Sequence, residues 1–121
     1  MADKKAPPHY IEKCRKMGEE MGKRDGSNTV IFTDHAVDRC YSRRIDPWKA
    51  LMAVDNPGRR LEDNEVNDKI YERYIKIIGQ REVYVSLIRE PKIIDDKEVE
   101  VIILTSVAWR ARVKKSKKGK P

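Results

Sequence analysis

Residues 35–45, HAVDRCYSRRI, place one histidine and three arginines within eleven positions. On a helix of 3.6 residues per turn, His35, Arg39 and Arg43 lie four apart on one face, and Ala36, Val37, Cys40 and Tyr41 occupy another. Arg44 falls toward the apolar side, so it stands either past the helix end or inward with a partner. His35 falls in the first turn, where the positive end of the helix dipole disfavours imidazolium and leaves a ring able to accept a proton. Amides of that turn can bind an anion, and each arginine can grip phosphate with two prongs. These are the parts for RNA cleavage without a metal: a base for the 2′-hydroxyl and cations for a pentavalent phosphorane. The plain alternative is a solvated face, with Asp34, Asp38 and Asp46 pairing the arginines and His35 bonding a carbonyl.

The elements that must position these groups follow from periodicity. Residues 1–9 read as a disordered N-terminus. From Tyr10 to about Arg24, Ile11, Cys14, Met17 and Met21 form one apolar stripe, an additional helix within 10–27 that DGSN ends. TVIFT, 29–33, reads as a short strand. Thr33 or Asp34 can cap a helix to about Arg43, and Asp46–Pro47 starts another that NPG, 56–58, stops. RRLED, 59–63, is a further strand or its approach. KIYERYIKII (69–78), EVYVSLIRE (82–90) and EVEVIILTSV (98–107) read as strands, with a turn at 79–82 and a longer loop at 91–97. Short connections favour antiparallel pairing. The expected architecture is α+β: a three- to five-stranded antiparallel sheet packed against two or three N-terminal helices, spanning 28–110. VIILT is continuously apolar and belongs inside the sheet.

TDHAVDRCYSRRID, the NP at 56–57, ERYIKIIGQREVYVSLIRE and VIILTSV together resemble the domain-of-unknown-function family numbered 4258, which is similar in fold to the RelE and ParE toxins. The resemblance covers about residues 28–107. It implies an antiparallel sheet against helices and a metal-independent ribonuclease of toxin–antitoxin type, with RNA as substrate and an antitoxin as protein partner. Carried over by position, His35, Arg39 and Arg43 match its motif as general acid or base and phosphate clamps. Arg73 or Lys76 on the first long strand and Thr105 near the end of the last fall where such folds place active-site groups.

Composition limits the alternatives. The formal charge is +7, and residues 114–121 hold five lysines with no acid, whereas 27–113 carry fifteen charges of each sign. A basic tail, 111–121, attracts nucleic acid without sequence preference. No apolar run approaches the length of a membrane span, so a cytoplasmic protein is expected. Two cysteines and two histidines, widely spaced, give no zinc pattern, and no cofactor motif occurs. Trp109 could stack on bases or pack. Arg44 and the Arg59–Arg60 pair could extend a cationic surface, or the pair could guard an edge strand. A noncatalytic module for nucleic acid or protein, and an oligomeric structural protein, as a homodimer through the N-terminal helix's Ile11–Met17–Met21 stripe, are the other readings.

Overall fold

The computed structural model describes residues 4–24 and 28–110. Eight elements follow in order: α1 (Pro8–Gly22), β1 (Val30–Phe32), α2 (Asp34–Ser42), α3 (Pro47–Asp55), β2 (Arg59–Val66), β3 (Lys69–Ile78), β4 (Arg81–Ile94) and β5 (Lys97–Arg110). The strands form one sheet in the order β1-β5-β4-β3-β2. The architecture is α+β as expected, but the sheet is mixed. β1 runs parallel to β5, with Val30 opposite Ile102, and the other pairs are antiparallel. The parallel pair arises because the chain crosses through two helices and three strands before returning to β1's flank. VIILT lies in β5, between β1 and β4.

The helices are capped as their sequences require. Thr33 Oγ1 accepts from the Ala36 amide at 3.1 Å and donates to the Leu104 carbonyl at 3.0 Å, so the α2 cap is also a tie to β5. Asp46 caps α3, with Pro47 buried in its first turn. The core lies between helices and sheet, where Ile45, Ala50 and Leu51 meet Val83, Val85, Leu87, Leu104 and Val107.

Three expectations need correction. The N-terminal stretch is partly ordered: Ala6 is buried and its amide donates to Asp38 Oδ1 at 2.9 Å, while Pro8 and His9 already belong to α1. Residues 91–97 are not a long loop. β4 runs through Ile94 and turns at Asp95–Asp96, both with positive φ, as a type I′ hairpin demands. The α1 stripe is covered by the chain's own fold, since Cys14 and Met21 are buried and Met17 packs on the core. That leaves Ile11 as the exposed member of the stripe offered for dimerisation. No described helix is long and apolar enough to cross a membrane.

Candidate nucleic-acid interface

α2, α3, β4 and β5 converge at one end of the sheet, around Trp109. The indole Nε1–H donates to the Arg43 carbonyl at 3.1 Å, which ties the last turns of β5 to the C-terminus of α2. The Arg81 guanidinium, at the start of β4, stacks 3.9 Å from the ring centroid. The Lys49 ammonium, from the first turns of α3, lies 5.4 Å from the same centroid. Both are cation–π contacts with an indole ring packed on the core.

Further cations share this end. Trp109 stands opposite Val83, which stands opposite Lys76, so Lys76 occupies the same sheet face two strands away. At ~4.8 Å per strand the backbones are about 10 Å apart. Arg43 is the α2 C-cap, and Arg44 follows it with φ 55°. Arg110 ends β5 and lies 4.0 Å from Glu82. Arg44, Lys49, Lys76 and Arg81 form no ion pair with a described residue. The arrangement is a rigid aromatic plane surrounded by positive charge, suited to a phosphate polymer.

The remaining sequence candidates divide. His35 is exposed in the first turn of α2. Arg39 is half-buried, with its Nε shielded from solvent. From His35 to Arg43 the helix rises about 12 Å, so the three groups lie along a rod. The larger grooves lie elsewhere. One of about 740 Å³ runs between α1, β1 and the β4–β5 arm, floored by Ile31, Phe32 and Val101. A second of about 710 Å³ lies beside it, between Asn28–Thr29 and the β4–β5 turn, and a smaller one of about 290 Å³ opens between α1 and α3 beside Met17, Trp48 and Met52. None of these is lined by His35, Arg39, Arg43 or Lys76.

Arg73, Arg60 and Thr105 are engaged inside the sheet. Arg73 donates through Nε and a terminal nitrogen to the Glu62 carbonyl, at 3.0 and 2.8 Å, where the β2–β3 register slips. Arg60 bonds Asp63 at 2.8 Å and lies over the Tyr74 ring. It also joins a network in which Glu72 accepts from Tyr74 at 2.6 Å and from Arg89 at 2.8 Å. Burial pushes the Glu72 carboxyl up, but these hydrogen bonds and guanidinium charges hold it below the usual carboxylate range. Thr105 donates to the Ser86 carbonyl at 2.9 Å. Arg59 is exposed at the start of β2, opposite Ile75. Cys14 and Cys40 are free and buried, and burial pushes their thiols up to about 11 and about 12.

The structure thus places Arg43, Arg44 and Lys76 at the same end of the sheet as Trp109 and adds, against its ring, Lys49 and Arg81, which sequence reasoning passed over. Lys49 is the one cation in PWKALMAVD, and Arg81 falls in the turn expected at 79–82. No family model, curated protein or solved structure matches the chain.

Proposed function

We propose that this protein binds RNA through the basic cluster around Trp109 and leaves it intact. The observation that carries the reading is the convergence of Lys49 and Arg81 on one indole ring, whose nitrogen is held by the Arg43 carbonyl. Cations positioned by helix ends and a strand start supply phosphate contacts, and counterion release supplies affinity. The sequence beyond Arg110 adds six more cations. RelE-like cleavage, which the family resemblance implies, asks for His35, Arg39 and Arg43 around one phosphate; their spread along α2 favours binding over that chemistry.

The test is a labelled RNA incubated with pure protein in EDTA, followed by gel shift and product analysis. Intact RNA is expected, retained in a salt-sensitive way. The Lys49→Ala/Arg81→Ala double variant should bind roughly tenfold more weakly, while His35→Ala binds as the wild type does. Unchanged affinity in the double variant overturns the site. RNA cut by the wild type and spared by His35→Ala and Arg39→Ala establishes the nuclease reading instead.

A further inference from the structure

The stacked pair at the centre of the cluster defines which RNA it takes. Resting on the binding reading above, we propose that the Arg81–Trp109 pair is a stacking platform for an unpaired base, so the site takes single-stranded RNA in preference to duplex. The Arg81 Cζ lies over the indole, 3.9 Å from the ring centroid, a separation that suits a guanidinium lying flat on the ring. A planar cation lying so turns its second face away from the ring, and Arg81 is exposed. Guanidinium is weakly hydrated and flat, so a base stacks on it at little desolvation cost. Every base has a π face, so the contact tolerates any sequence.

Three ties fix the platform in advance of binding. The indole donates to the Arg43 carbonyl, its ring packs on the core, and Arg81 begins a strand paired on both sides, opposite Ile78 in β3 and beside the Glu82–Arg110 pair of β5. Preorganisation of this kind lowers the ordering cost of association. Lys49 and Lys76 then lie on the same face for the flanking phosphates. A duplex has its bases stacked on one another and offers this platform no face. It would meet the cations alone.

The experiment uses the full chain carrying Trp48→Phe. Trp48 lines the α1–α3 groove, and the chain has two tryptophans, so Trp109 becomes the sole indole reporter. Three probes of equal length are titrated at fixed salt: a mixed-sequence single strand, its duplex, and an abasic strand with the same phosphates. The intact single strand should bind about tenfold tighter than either control and quench Trp109 fluorescence. Arg81→Lys, which keeps the charge and loses the plane, should bring single-strand affinity down to that of the duplex, with an unchanged melting temperature. Abasic or duplex RNA binding as tightly as the intact strand overturns the stacking proposal and leaves RNA binding standing. If none of the three probes is retained, the binding reading fails and the proposal with it.

Discussion

Arg44 is a residue whose chemistry and backbone pull in different directions. It follows the α2 C-cap with φ 55°, while the Ile45 amide bonds the Cys40 carbonyl at 2.9 Å and the Arg44 amide approaches the Tyr41 carbonyl at 3.4 Å. This is a Schellman ending, with Ile45 fully buried as its apolar anchor. Glycine is the usual occupant of that left-handed position because a Cβ is strained there. An arginine at this position, next to Arg43, puts a charge where glycine would relieve strain. Arg44→Gly is therefore expected to raise stability by about 0.5–1 kcal/mol in urea unfolding while weakening RNA retention. A variant that is both less stable and equally retained would remove Arg44 from the interface. The His35–Arg39–Arg43 periodicity was legible because it is local. The use of Arg73 and Thr105 was not, because their partners, the Glu62 and Ser86 carbonyls, are backbone groups exposed by irregular pairing. No residue type advertises an unpaired carbonyl.

At the scale of elements, α1 shows how a small sequence feature sets a packing distance. Gly18 and Gly22 lie four apart on one face, and the helix approaches β1 there so closely that a Cβ on Gly18 would sit 1.9 Å from the Val30 carbonyl oxygen. Val30, like Phe32, turns its backbone polar groups away from β5, because Thr29 accepts from the Ile102 amide and Thr33 donates to Leu104. α1 therefore shields the free edge of β1. In an exposed helix Gly→Ala stabilises by about 1 kcal/mol; here Gly18→Ala is expected to reverse that sign and cost about 2 kcal/mol. A melt at or above the wild-type temperature would show that α1 does not seat on β1 in solution. Helix caps, the α+β class and most strand positions were readable, since each depends on neighbours in sequence. Register was not. From the Asp95–Asp96 turn, Leu104 pairs Leu87, and unbroken pairing would set Trp109 against Glu82 on the open face. The slip beside Thr105 sets it against Val83 instead. One extra residue turns the ring to the helix-covered face, where Lys49 and Arg81 meet it.

Across the whole molecule, charge is sorted by end. The β4–β5 arm, 90–100, carries five carboxylates and two lysines, and β2 adds Glu62, Asp63 and Glu65 toward its turn with β3. Trp109 stands twelve residues from Lys97 along β5, about 40 Å at the rise of an extended strand. The neutral balance of the middle of the sequence therefore conceals an acidic end, at the β4–β5 and β2–β3 turns, and a mainly basic one around Trp109, where Glu82 lies on the opposite sheet face. This separation sets an expected salt response. Five described cations stand at the Trp109 end on its side of the sheet or at the adjoining helix ends: Arg43, Arg44, Lys49, Lys76 and Arg81; Arg110 lies on the opposite sheet face beside Glu82. If all five meet phosphates, the logarithm of single-strand affinity falls against the logarithm of salt with a slope of about −3.5. The full chain, with six further cations past Arg110, should be steeper. Truncation after Arg110 should bring the slope back to about −3.5 and leave the Arg81→Lys effect intact, because the folded cluster, rather than the tail, supplies the stacking. A truncated chain with a slope near zero would mean that the lysines alone attract RNA and that the cations around Trp109 serve only to hold the ring in place.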